Sequence, residues 1–285
     1  VITTKSGSAG EVKYEVSSNY GFQNYALDER PMLTGEQRLE LGAETLMNTY
    51  GWDQARATNY VISRFPGVAA WDAGGRVDGD WENAVKVKDA PYQRYNLSAS
   101  GGNSSENFRA SVGYNNTVGT SIGVNFEQIN GSFTYRRIAG NVTIETSNRV
   151  SNAIQDGQLE GGSYFAAPQM TRVFMAPVHQ PKNPDGTWNT NLATSIYNTG
   201  YLSENNISRN DATRAISNTG VNIKLGDGLR FQTRYAIDYN IGNAHRYQNP
   251  NHGGGVTDNG YAYQSTSRDF SWNTLNTLSY DKSFG

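Results

Sequence analysis

Three histidines, His179, His245 and His252, and three aspartates, Asp72, Asp78 and Asp80, are the side chains of this 285-residue sequence best suited to holding a metal or moving a proton. Their spacing argues against both roles. The histidines are scattered over loop-like sequence, and "DAGGRVDGDW" lacks the ligand spacing of a calcium loop. "GGRVDG" and "NHGGGV" are glycine-rich, but neither lies between a strand and a helix as a phosphate cradle must, so both read as turns. Triplets such as Asn96-Leu97-Ser98 and Asn141-Val142-Thr143 match the glycosylation pattern but fall inside strand-like stretches, where Asn- and Ser-rich sequence produces them by chance. Cysteine is absent, which excludes disulfides and cysteine-based metal or nucleophile sites. The sequence therefore offers no catalytic, metal or cofactor site, and we expect a protein that binds rather than an enzyme.

Binding chemistry is better represented. Trp188, Tyr164, Phe165, Tyr197, Tyr201 and Tyr247 fall in long connecting segments, as do Tyr261 and Tyr263. Flat rings beside amide side chains combine apolar contact with polar handles, which suits sugars or peptides. The competing use of the same rings is to pack loops on one another or on a partner protein.

The elements that must carry these loops are strands. "GLRFQTRYAIDYN" (228–240) alternates without a slip, with Leu229, Phe231, Thr233, Tyr235, Ile237 and Tyr239 on one face. Arg230, Gln232, Arg234 and Asp238 occupy the other, as strand geometry requires of alternate residues. About seven further segments alternate in the same way: 11–22, 92–101, 107–114, 126–137, 140–150, 216–225 and 268–280. Most are longer than an ordinary strand of about 5–6 residues and reach the ~9–11 that a tilted membrane-spanning strand needs. Long and short links alternate between them. The meander of an up-and-down membrane barrel sorts its links in this way, whereas a Greek-key sandwich has no reason to. Aromatics near segment ends, among them Tyr20, Phe22, Tyr92, Tyr114, Phe126, Tyr135, Tyr239, Phe270 and Tyr280, would form interfacial girdles.

The first long link carries helix signals. Thr34 and Gln37 have capping-box spacing, and Leu39, Ala43, Leu46, Met47 and Tyr50 form one apolar stripe, which predicts a helix over 33–50. Further helices are expected over 54–63 and 81–87. Net charge is only −2, with no charge blocks, so nucleic acid is not an expected partner. Hydrophobic residues make up 36% and mean hydropathy is −0.66, low for a chain with a large buried core. No apolar run approaches the ~18 residues of a spanning helix, and "VITTKSGSAG" does not open like a signal peptide. We read that opening as a strand already under way, in a fragment of a longer chain.

Several of these stretches resemble the SusC/RagA-like TonB-dependent transporters of the Bacteroidetes outer membrane. "VITTKSG" (1–7) is similar to the family's last plug strand, "VxITTKxG". "YNLSASGG" and "FRASVGY" resemble its early barrel strands, "PMLTGEQRLELGAETLMN" its helical insertion, and "FMAPVHQPKNPDGTW" (174–188) an external loop. The resemblance implies an all-β fold: the end of a plug over 1–10, then the first eight or so strands of a 22-stranded antiparallel barrel over 11–285. External loops would lie near 23–90, 156–206 and 242–262, the first holding the helices. Arg109, Arg230, Gln232, Arg234 and Asp238 would line the lumen, either touching substrate or pairing with one another across the wall. The implied activity is import of glycans or oligopeptides, powered through TonB, in outer-membrane lipid, with a SusD-like surface lipoprotein as partner. The TonB-contact segment and most of the plug are not found in these residues, and eight strands alone would leave two open edges. The alternative from another class is a non-transporting cell-surface β-protein, an adhesin or glycan-binding module; a passive porin would share the barrel but lack the plug.

Overall fold

The computed structural model describes residues 10–26, 32–158, 166–193 and 196–282. Tyr164 and Phe165, and the plug-like stretch 1–7, lie outside the described residues. Eight strands form a single antiparallel sheet in chain order: β1 (Gly10–Gln23), β2 (Ala90–Gly102), β3 (Glu106–Val118), β4 (Asn125–Ala139), β5 (Val142–Asp156), β6 (Ile207–Gly226), β7 (Leu229–Gln248) and β8 (Tyr261–Tyr280). Pairing runs from β1 to β8 without returning to β1 among the described residues, so the sheet is an open arc, consistent with part of a barrel wall. The strands are 13 to 20 residues long.

Register keeps the two faces separate across the full width. Val16, Leu97, Val112, Gly131, Val150, Ala215, Tyr239 and Phe270 are successive partners on one face. One residue along, Glu15, Ser98, Ser111, Ser132, Arg149, Ile216, Asp238 and Ser271 are partners on the other. A slip of one residue in any strand would exchange its faces, so this pattern fixes the register. Among the described residues no second layer covers the apolar side: Val16 is 79% exposed, Trp272 58% and Leu278 65%. On β7 that face runs apolar from Leu229 to Ile241 and then turns polar at Asn243 and His245. Twelve strand steps span ~40 Å, which at a barrel's usual 35–45° tilt is roughly 30 Å, the thickness of a bilayer's hydrocarbon.

Links at one end of the sheet are tight. Gly140–Asn141 and Asp227–Gly228 are two-residue turns, with Gly140 at φ +60° and Gly228 at φ +76°, a region open to glycine. Asn103 Oδ1 accepts the backbone N–H groups of Ser105 and Glu106 in the third such link. At the other end the links are 24–89, 119–124, 157–206 and 249–260. The first holds α1 (Gly35–Tyr50), α2 (Gln54–Arg64), α3 (Val68–Ala73) and α4 (Trp81–Val85); the third holds α5 (Pro168–Phe174) and α6 (Thr199–Asn205). Thr34 and Gln37 make the reciprocal capping box, and α1 stops at Gly51, which takes φ +67°. The structure corrects the third long link: strands continue to Gln248 and resume at Tyr261, so 242–248 is sheet and Tyr247, Tyr261, Tyr263 and His245 stand on strands.

The buried apolar cluster lies in these links and not on the sheet. Leu39, Val61, Val68, Trp71 and Val178 pack together, with Leu46, Ile62 and Ala176 against them. Hydrogen bonds sew the links into one cap. Trp81 Nε1 donates to His179 O at 2.7 Å, Gly79 N to Pro177 O at 2.7 Å, and Val87 N to Thr120 O at 2.8 Å. Arg172 is buried with its guanidinium 3.7 Å above the Tyr25 ring and 3.4 Å from Glu82.

Candidate binding site

Asn198 organises the part of the cap where the aromatic residues gather. It is fully buried and caps α6, its Oδ1 accepting from Gly200 N at 3.0 Å and Tyr201 N at 3.3 Å. Its Nδ2 donates to Pro181 O at 2.7 Å and Asn189 O at 2.9 Å. Its backbone N–H donates to His252 Nε2 at 2.7 Å, which joins the 157–206 link to the 249–260 link. Every polar group of this side chain is used, as burial demands. Because Nε2 accepts, the His252 imidazole is neutral, and burial holds its pKa below the usual histidine value.

Tyr197 and Tyr201 meet the His252 ring edge-on at centroid distances of 5.8 and 5.4 Å. Trp188 lies against α6 at Gly200, where a Cβ would sit 2.3 Å from its ring. Lys182 Nζ stands 4.5 Å over that indole. The two residues are bridged across a hairpin in which Asp185 Oδ1 accepts from Thr187 N at 2.9 Å and Thr187 Oγ1 at 2.6 Å. These bonds hold the Asp185 carboxyl below the usual carboxylate range. The structure thus brings Trp188, Tyr197 and Tyr201 around one short helix, each partly exposed, and leaves Tyr247 on β7, on the apolar face of the sheet. Sequence reading did not single out Asn198, because it touches groups remote in the chain; a polar residue ahead of "TGYLSEN" was its only signal.

The charged residues expected in the lumen share the polar face. Arg109 donates to Glu15 Oε2 at 3.1 Å and to Ser98 Oγ at 3.0 Å. Asp238 accepts from Arg214 Nε at 2.9 Å, and beside them Asn240, Asp269 and Ser271 complete a polar hollow of about 300 Å³. Arg230 reaches Asp281 at 3.2 Å. Gln232 and Arg234 stand on the same face between β6 and β8. The aspartates near the first link are structural acceptors: Asp78 takes Gly35 N and Trp71 Nε1, Asp72 pairs with Arg76, and Asp80 caps α4. No cluster of potential metal ligands occurs among the described residues.

No family model matches the sequence, and no curated protein does. Solved structures do. A chain of the RagAB peptide importer in its "closed-closed" state superposes with a TM-score of 0.79 over 99% of this chain, at 18% identity. The RagAB peptide transporter gives 0.77 over 99% at 17%, and the "open-open" state of the importer 0.77 over 97% at 19%. The likeness is one of fold. This chain spans about a third of the length of those it matches, 33 to 34%.

Proposed function

We propose that these residues are a consecutive run of strands from an outer-membrane active importer of the SusC/RagA type. One observation carries the reading: an eight-strand meander whose apolar face is bare from edge to edge, while its opposite face is hydrogen-bonded and charge-paired. A water-bathed protein rarely leaves so broad an apolar surface uncovered; a barrel wall must. The fold shared with RagAB importer chains supports the same reading. In it, the tight turns face the periplasm, the cap faces outward, and the polar face encloses the passage. Substrate, a glycan or an oligopeptide, is caught at the cap together with a SusD-like lipoprotein. TonB then drives release past a plug, with no bond made or broken in the substrate. Of the two substrate classes, oligopeptide is favoured by the RagAB likeness.

The test is uptake by cells expressing the full polypeptide, of labelled oligopeptides and labelled glycans, with and without TonB. Loss of uptake on TonB removal, with the protein in the outer-membrane fraction, is the expected result. Uptake that continues unchanged without TonB, or recovery of the protein in soluble form without detergent, refutes the proposal.

A further inference from the structure

The α1–α2 pair carries a second feature, away from the aromatic gathering at α6. Arg56, Tyr60 and Arg64 follow one another at intervals of four on the exposed side of α2, and Trp52, just before its N-cap Asp53, extends the stripe through contact with Arg56 and Tyr60. The stripe alternates rings and guanidiniums: Arg56 lies 4.3 Å over the Trp52 ring, Trp52 meets Tyr60 at 5.1 Å, and Arg64 lies 5.8 Å from Tyr60. Tyr50 stacks on Trp52 at 5.3 Å. Arg56 and Arg64 are exposed and have no carboxylate partner among the described residues, and α2 contains no Asp or Glu. Rings hold both cations in place without neutralising them.

On the adjoining side of α2, where Phe65 follows Arg64, an open groove of about 590 Å³ lies between α1, α2 and the residues from Ala176 to Ala193 with Ile196. Leu39, Leu41, Val61, Phe65 and Val178 line it; Leu41 and Phe65 are 54% and 53% exposed. Arg38 also lines it, and its buried Nε has no acceptor among the described residues. Such a donor marks a place where a ligand oxygen would be satisfied.

We propose that this surface docks an acidic, amphipathic polypeptide segment of a partner protein. The occupant must bring aliphatic side chains for the groove and carboxylates for Arg38, Arg56 and Arg64, a combination that a polypeptide supplies and a sugar does not. Arg56, Tyr60 and Arg64 are exposed on the helix surface, which suits an interface anchor of Trp, Tyr and Arg better than enclosure of a small solute. The helix pair packs on helices and loops, clear of the polar face of the sheet, so the site is a partner's and not the transported cargo's. The inference stands independently of the transport reading.

The probe is a fluorescein-labelled 12-residue peptide with Leu on one helical face and Glu elsewhere, titrated by anisotropy onto the full polypeptide in detergent. Micromolar binding is expected, weakened at least tenfold by Arg56→Gln with Arg64→Gln, by Arg38→Gln, by Leu41→Glu, and by 0.5 M salt. These exposed or rim substitutions leave the fold intact, read by an unchanged circular dichroism spectrum. Absence of binding, equal binding of the same peptide with Gln for Glu, or indifference to the arginine variants overturns the proposal. So does equal affinity for a polygalacturonate oligomer, which would make it an anion site without peptide selectivity, or competition by the transported substrate.

Discussion

Removing the Asn198 side chain separates two contributions that the structure superimposes. Asn198→Ser keeps an oxygen for the α6 N-terminus but loses both amide hydrogen bonds, leaving Asn189 O unsatisfied inside the cap while Pro181 O keeps only the Asn189 N–H at 3.0 Å. Two buried hydrogen bonds at ~1 kcal/mol each make that loss about 2 kcal/mol. Asn198→Ala forfeits the cap as well, a further ~1 kcal/mol, for about 3 in all. The assay is hydrogen exchange of the α6 amides, Gly200 to Leu202, in the full polypeptide in detergent. At 1.4 kcal/mol per decade, protection should fall about 30-fold for Ser and about 150-fold for Ala. Strand amides in β2–β5 should not change, because the affected bonds lie wholly within the cap. Equal protection in the two variants, or loss spread over the sheet, refutes the argument that Asn198 ties the cap together.

A charge on the apolar face should reveal what that face meets: Val150→Arg is expected to cost about 2–4 kcal/mol of folding free energy in lipid vesicles, and Asn218→Arg on the opposite face well under half of that. Equal costs in urea titrations would show that the two faces share one environment. Adding a methyl to Gly200 must displace Trp188, since a Cβ there falls 2.3 Å from the indole; Gly200→Ala should cost about 1–3 kcal/mol locally and shift Trp188 emission. The pH dependence follows from His252, whose folded pKa is lowered by burial. Its contribution is complete above the ordinary histidine value and is lost as pH falls through that value toward the folded one, because the opened chain takes up the proton first. Amides around Asn198 should therefore exchange faster at pH 5 than at pH 7.5 after correction for intrinsic rates, and His252→Gln should reduce the difference to the part due to His179, whose pKa burial also lowers.

Periodicity made the strands readable wherever a side chain had to be apolar. In β7 the alternation up to Tyr239 is unbroken, but beyond Ile241 the outward positions are Asn243 and His245, and the hydrophobic signal ends before the strand does. The same loss hides the first turns of β6, where Arg209 and Asp211 occupy outward positions. α1 was legible because Thr34 and Gln37 signal its start locally. α5 and α6 were not: seven residues give two turns, too few for a stripe, and both are held by tertiary bonds such as Thr171 Oγ1 to Thr199 Oγ1 at 2.9 Å. Of the proposed binding residues, Trp188, Tyr197 and Tyr201 belong to one link, but their gathering rests on Asn198 and on His252 from the 249–260 link, a tertiary arrangement that no local pattern encodes. The partners of Arg109 and Asp238 were hidden for the same reason, since Glu15 and Arg214 are matched to them only by register.

Unequal links also set an order of assembly. Strands β2 to β5 are joined by three brief connections, so their hairpins can close early, each waiting on little more than a turn. Bringing β1 to β2 must first draw together the ends of 24–89, which costs on the order of 3 kcal/mol more in chain entropy than a turn of two or three residues. By the same reasoning the 90–156 meander and the β6–β7 hairpin are expected to close first, and β1 to join late, once the helices of its own link have shortened the span left to close.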